Sequence, residues 1–311
     1  MLYGSRERQE LVLREAHKYA ESIDATLIFG AMVGSVSKNF QYADSDYDTR
    51  FLYLRKDFPE KICIPAEMTE DELVKRYYPE DEIFEWIPFW EATSFLQFLV
   101  TPSFKDDFSV GLYNIVGWTF LSPYVWDPYG LQNRLMPLIH KIFRSDYEIA
   151  YHKKVIKKYW NSLQLEQVVA KDYLYAVHAA ATIEWSAVYQ EQPPIDLQTL
   201  LAGLGRDDVW AESAQILDQA RQEARRGWDS ETGRMQSLHF SVFTAKNPTL
   251  LSYIDKFYHI DNQRAASDTS VKNPAEIVNR MYEIIYRSVF ENEPLQYIGK
   301  SERNTSSHTV S

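Results

Sequence analysis

Between Gly34 and Phe51 the chain reads GSVSKNFQYADSDYDTRF, with two carboxylates, Asp46 and Asp48, one residue apart and Arg50 two residues further on. Side chains at i and i+2 of a strand share a face, so Asp46, Asp48 and Arg50 are expected on one side of a strand and Tyr47 and Phe51 on the other. Carboxylates held that close repel unless a cation lies between them. Mg2+ (or Mn2+), which takes one or two carboxylates together with phosphate oxygens and water, suits the pair. Upstream, Gly34 would let backbone amides approach an anion closely, and Ser35 would add a hydroxyl donor, so the two halves of the stretch could hold a triphosphate and its metal. Chemistry on such a triphosphate needs a further acid to align or deprotonate the attacking hydroxyl. The segment EIFEWIPFWEA offers Glu82, Glu85 and Glu91. Glu85, between Phe84 and Trp86 in mid-strand, is the preferred third acid because burial there has no other evident reason. Glu91 could instead start the following helix, its charge on the helix dipole, and Glu82 could be a solvated strand end.

The elements that would carry these residues follow from hydrophobic periodicity. Residues 5 to 22 read as an amphipathic helix, TLIFGAMVGS as a buried strand entering a glycine turn, and DYDTRFLYLRK as a second strand. A short helix is expected at TEDELVKRY, and EIFEWIPFW reads as a third strand whose late proline suits an edge or a strand end. From about Glu91 the pattern turns helical: ATSFLQFLV, a long aromatic-rich connection to Pro128, and helices from Leu131 to Gln192. QPPID interrupts the series; LQTLLAGLG, ESAQILDQARQEARRGWD and AEIVNRMYEIIYRSVF resume it. The polar tail KSERNTSSHTVS has too little apolar content to fold. The expected fold is α+β, a small mixed β-sheet core with flanking helices over residues 1–130, then a mainly helical region over 131–298 and a tail over 299–311.

Gly34-Ser35 followed after ten residues by Asp46-Tyr47-Asp48 resembles the site of nucleotidyltransferases of the DNA polymerase β superfamily. Within that superfamily the chain looks most like the RlaP-type predicted nucleotidyltransferases. Their G-S-x-x-x-x-F and S-D-Y-D-x-R-F hallmarks are similar to Gly34, Ser35, Phe40, Ser45 to Asp48, Arg50 and Phe51. Looser matches are Trp90-Glu91-Ala92, Tyr151-His152-Lys153, then Lys171, Tyr175, Val177, His178, Glu184-Trp185-Ser186 and Pro193-Pro194, so the resemblance runs from Gly34 to about Leu201. It implies a polymerase β-like nucleotidyltransferase core, a metal held by Asp46 and Asp48 with Glu85, and an NTP bound by Gly34, Ser35, Lys38, Arg50, Lys171 and His178. The family usually carries an arginine and a tryptophan soon after the GS and an arginine in the later helix. Here those places fall at Val36, Lys38 and His178, and a neutral imidazole does not replace an arginine fork. Read from its residues alone, His178 in YAVHAAATIEW is a packed, hydrogen-bonded core histidine.

The expected reaction is transfer of a nucleoside monophosphate from an NTP to an acceptor hydroxyl, with pyrophosphate released; the alternative is a non-catalytic nucleotide- or partner-binding module on the same fold. The acceptor could be an RNA end, a protein or a small molecule. A formal net charge of −11 over 311 residues argues against long duplex DNA. Lys153, Lys154, Lys157 and Lys158 in HKKVIKKYW group as a local basic face, for RNA or simply for solvent. The single cysteine, Cys63, excludes an internal disulfide and reads as a buried hydrophobe. No run of about 18 apolar residues and no apolar leader is present, so a cytoplasmic, membrane-free protein is expected. There is no zinc-protease, dinucleotide or P-loop motif.

Overall fold

The computed structural model describes residues 6–41, 48–55, 89–100, 115–226, 228–229, 234–235, 242–259 and 273–291. Asp46, Glu82, Glu85, Cys63, the expected TEDELVKRY helix and the tail lie outside the described residues.

The chain is a mixed α+β protein, mostly helical, built on a small mixed sheet. Helix α1 (Arg6–Ser22) feeds strand β1 (Ala25–Met32) through Asp24, whose φ of 53° reverses the chain. A single helical turn, α2 (Gly34–Ser37), takes the place of the expected open glycine turn. Strand β2 (Thr49–Arg55) returns antiparallel to β1, from Met32↔Thr49 to Ala25↔Arg55. Strand β3 (Phe89–Glu91) then adds parallel to β2, and β4 (Val125–Trp126) pairs with β1 from the opposite edge, giving the order β3-β2-β1-β4. Among the described residues β3 ends the sheet order on the side of β2, and residues 82–88 of the expected strand EIFEWIPFW, its proline included, lie outside them.

A register shift between Leu27 and Phe29 inserts Ile28 as an extra residue in β1. The insertion reverses which parity faces which side, and both faces end up covered. Ala25, Leu27 and Met32 join Ala16 and Ala20 of α1, Phe51 and Phe89 on one face. Ile28, Phe29 and Ala31 join Leu52 and Leu54 on the other. That explains why β1 is apolar throughout instead of alternating.

The second face is roofed by α3 (Ala92–Gln97), a helix over 115–121, α4 (Leu131–Lys141) and α10 (Pro274–Phe290). Helix α10 buries Val278, Met281, Tyr282 and Ile285, a stripe at i, i+3, i+4 and i+7 that its sequence already spelled out. This cluster therefore draws on residues from both sides of the expected division at 130/131. The expected connection from 101 to 128 is not structureless, because its described part carries the 115–121 helix and strand β4. Asp127 then fixes the entry to α4, its two oxygens accepting from the amides of Leu131 (2.8 Å) and Gln132 (2.9 Å).

A separate core is formed by α5 (Ser145–Leu163), α6 (Ala170–Tyr189), α7 (Leu197–Gly203), α8 (Asp207–Arg226) and α9 (Pro248–Tyr258). Ala176, Ala179, Ala180 and Ala181 on α6 have short side chains that let neighbouring helices come close. Two short ladders complete the described structure: β5 (Gln167–Val169) with β8 (Phe243–Ala245), and β6 (Trp228–Asp229) with β7 (Arg234–Met235). One residue of the sheet unit also belongs to this second core. Phe40, 1% exposed, packs edge-on against Tyr175 and His178.

Candidate functional site

The β1–β2 ladder brings the two halves of the acidic stretch together. One step beyond the Met32↔Thr49 pair, the Val33 amide donates to the Asp48 carbonyl at 2.7 Å. Gly34 follows at φ 66°, where a side chain is disfavoured, and a Cβ there would stand 2.1 Å from Asp48 Oδ2. Glycine is therefore demanded twice, by its own backbone and by the carboxylate lying against it. Asp48 itself is exposed and sits just before β2 begins, so the strand does not extend to it as expected.

Behind the turn are the cations. Lys38 is 5% exposed; its ammonium donates to the Gly34 carbonyl at 3.2 Å and lies 4.8 Å from the ring centre of Trp118 and 5.8 Å from that of Tyr175. Burial, with the nearby Arg50, brings Lys38 down to about 8, against the pull of Asp48 and Glu148. Arg50 is half-buried and donates to the Thr119 hydroxyl at 3.1 Å and the Ile115 carbonyl at 3.5 Å. Burial lowers Arg50 to about 10, opposed by Tyr151 and Asp48, and a guanidinium there still stays charged at any physiological pH.

Beneath the cations lies a buried polar layer. Glu148, 1% exposed, accepts from the Trp118 indole at 3.2 Å. His152 Nδ1 is 2.9 Å from the Glu148 carbonyl and 3.2 Å from its Oε2. His178, 4% exposed, has its Nε2 3.0 Å from the Ile195 carbonyl. Burial, then Lys38 and His152, hold His178 well below its ordinary value, so it is neutral at physiological pH. A carbonyl can only accept, which places the proton of that neutral ring on Nε2.

Of the residues singled out from sequence, Gly34, Ser35, Lys38, Asp48 and Arg50 come together. Ser35 is buried in the turn, 2% exposed. His178 is a core side chain under Lys38, as the residue reading expected, with Nε2 committed to Ile195. Lys171 lies half-buried in the first turn of α6, one turn before Tyr175. Glu91 ends β3 and caps α3, its Oε2 accepting from the Ser94 amide at 2.9 Å and from the Thr93 hydroxyl. With burial, it raises the Tyr282 phenol above its ordinary value. The four-lysine face does not form: Lys153 is buried at 9% exposure, while Lys157 and Lys158 face outward. Asp46 and Glu85 fall outside the described residues, and among those described no group of three or more His, Cys, Asp or Glu is arranged to hold a metal.

Three residues of the site carried no signal that was read. Trp118 and Thr119 lie in the helix missed within the long connection. Glu148, in the first turn of α5, looks like an ordinary acid favoured by a helix dipole. Its spacing to His152, with Ile149 and Ile156 on the same buried side, was the available clue. A fourth, Arg221 of α8, holds the exit from the turn by donating to the carbonyls of Gln41 (3.2 Å) and Asn39 (3.4 Å).

No family model matches the chain, and no solved structure matches it. It is 20% identical over 218 residues to a protein of Bacillus subtilis (strain 168) described as the uncharacterized protein YcgL, covering 68% of this chain and 76% of that relative. Among the described residues no helix is long and apolar enough to cross a membrane.

Proposed function

We propose that the chain is a metal-dependent nucleotidyltransferase on a polymerase β-like core, moving a nucleoside monophosphate from an NTP to an acceptor hydroxyl. The supporting observation is the contact of Gly34 with Asp48, backed by Lys38 and Arg50. An exposed carboxylate against a glycine turn, with a buried and a half-buried cation behind it, suits a ligand carrying both phosphate oxygens and a divalent metal. Asp48 fits Mg2+ as a hard oxygen donor, and Asp46 and Glu85 would complete the set. A bound Mg2+ would supply Lewis-acid stabilisation of charge on the phosphates.

The chain's own residues then have distinct tasks. The Gly34-Ser35 turn seats the phosphate chain, Lys38 and Arg50 offset its charge from below, and Glu85 takes the proton of the acceptor hydroxyl. The acceptor oxygen forms a bond to the α-phosphorus, the bond from that phosphorus to the bridging oxygen breaks, and pyrophosphate leaves.

A second reading, a nucleotide- or partner-binding module without transfer, is favoured by the burial of Lys38 and by the commitment of His178 to Ile195. Incubation with each α-labelled NTP and Mg2+ or Mn2+, with and without total RNA, separates the two. Label transferred to RNA, protein or a small molecule, with pyrophosphate released and both absent in an Asp46→Ala/Asp48→Ala control, is the expected result. Nucleotide binding without transfer under any condition would replace the enzyme by the binding module.

A further inference from the structure

Glu148 is the buried acid that the proposed chemistry leaves without a task. It is 1% exposed in the first turn of α5. The dipole of a helix favours an acid there, but by far less than the cost of taking a carboxylate out of water. Its hydrogen bonding does not make up the difference. Oε1 accepts from the Trp118 indole. Oε2 stands 3.2 Å from His152 Nδ1, but that nitrogen is already turned to the Glu148 carbonyl, and Oε2 has no hydrogen-bond partner among the described residues. His152 Nε2 is likewise buried without one.

What balances the carboxylate is on the face of the same indole. Trp118 directs its N–H to Glu148, and the Lys38 ammonium lies 4.8 Å from its ring centre. An anion at the edge and a cation at the face polarise an indole in the same sense, so each strengthens the other's contact.

We propose that Glu148 is a positioning residue for the phosphate-facing cation: acting through Trp118, it holds the charged Lys38 ammonium beneath the Gly34 turn. The inference rests on the nucleotide-turn reading above and names what makes that turn electropositive. The groups facing Lys38 are Asp48 just before β2 and Arg50 within it, Glu148 from α5, His178 and Tyr175 from α6, and Trp118 from the 115–121 helix, with His152 of α5 behind Trp118 and His178. Burial and Arg50 oppose the ammonium, and His178 is neutral. Of the two anions that favour it, Asp48 would be engaged by a metal, leaving Glu148 as the remaining counter-charge.

Glu148→Gln tests this in the full chain, because glutamine keeps the acceptor for the indole and the side-chain volume while removing the charge. The probe is inorganic pyrophosphate with Mg2+, followed by titration calorimetry across pH. Loss of a neighbouring anion should lower the Lys38 titration by on the order of one unit. Affinity should then fall about eightfold at pH 8.5 and be equal or tighter at pH 6, where Lys38 is protonated either way. In a Lys38→Met background the same substitution should leave the pH dependence unchanged. A merely structural role would weaken binding at both pH values, and that result overturns the inference.

A ligand-free measurement keeps the two readings apart. The Lys38 13Cε resonance of lysine-labelled protein should titrate at lower pH in Glu148→Gln than in the wild type. If the wild type does not bind magnesium pyrophosphate, the nucleotide reading falls. If the Lys38 titration is the same in both proteins, the role of Glu148 falls whatever binds. Trp118→Phe, which keeps the ring and the carboxylate but removes the N–H between them, serves if Glu148→Gln does not fold, and it should shift the same resonance in the same direction.

Discussion

Replacing Lys38 by methionine should make the protein more stable at neutral pH. Lys38 is 5% exposed and its ammonium is brought from 10.5 down to about 8. The native state therefore binds fewer protons than the unfolded chain between those two values, and stability rises with pH through that window. The cost of carrying the charge is complete below pH 8 and gone above pH 10.5. At about 1.36 kcal/mol per unit, it amounts to roughly 3 kcal/mol at pH 7. Methionine fills a similar volume without that cost. It forgoes the contact with the Trp118 face, worth about 0.5–2 kcal/mol. The Gly34 carbonyl keeps the Ser37 hydroxyl at 3.0 Å as a donor.

The net expectation is a gain of about 1–3 kcal/mol at pH 7, read by urea unfolding at constant m value. Between pH 7 and pH 9.5 the advantage over wild type should shrink by about 2 kcal/mol, as the wild-type lysine gives up its proton in the native state. A methionine variant that is less stable at pH 7, or whose difference from wild type does not change with pH, would refute the reasoning. It would show that the ammonium's contacts outweigh its burial. A variant that is more stable but has lost pyrophosphate binding would mean that the lysine is kept at the expense of stability, the pattern expected of a residue retained for function.

Gly34→Ala adds a Cβ at φ 66° and 2.1 Å from Asp48 Oδ2, so the carboxylate must move. The backbone cost is about 1 kcal/mol, a melting shift of a few degrees at most, whereas nucleotide transfer should fall about 100-fold; near-normal transfer would disconnect this turn from the chemistry. At Glu91 the two roles separate cleanly. Glu91→Ala should lose about 1 kcal/mol with the α3 cap, and Glu91→Gln, which still accepts from the Ser94 amide, should keep most of that stability and full transfer activity. A Gln variant that folds normally but is inactive in the label-transfer assay would make Glu91 the third acid.

What could be read in advance follows the range of each signal. Helices α1, α8 and α10 carry a 3.6-residue stripe, and the two strands whose pairing sets Gly34 against Asp48 read as apolar runs, although the shift at Ile28 within that pairing has no local signal. Strand β4 has two residues and exists through its pairing with Gly30 and Ala31, a tertiary fact without local pattern. The 115–121 helix sits in an aromatic run where apolar residues give little contrast between faces. Lys153 was legible and misread: it is four residues from Ile149 and three from Ile156, both buried, so the helix period alone turns it inward. Glu148 was hidden because its polarity and its place in the first turn agree with a solvated role. Only the ring of Trp118, thirty residues away and from another element, shows the difference.

The same physics explains why the site lies where two cores meet. The segment from Gly34 to Gln41 is too short to bury itself, yet Val36 is sealed in the cluster between α1 and the sheet, and Phe40 in the cluster of α5 and α6. Two side chains four residues apart, each 1% exposed, fix the turn from opposite directions. Removing Phe40 would cost about 3–5 kcal/mol by the usual measure of an aromatic lost from a core. The polar ties point the same way: the Leu197 amide donates to the Lys38 carbonyl at 3.2 Å, and Arg221 grips the carbonyls of residues 39 and 41. The segment entering β2 supplies Asp48 and the strand supplies Arg50, while the helices supply Glu148, Tyr175 and the clamp of Arg221. Both units make contacts that hold the turn, so the helical region takes part in building the candidate site.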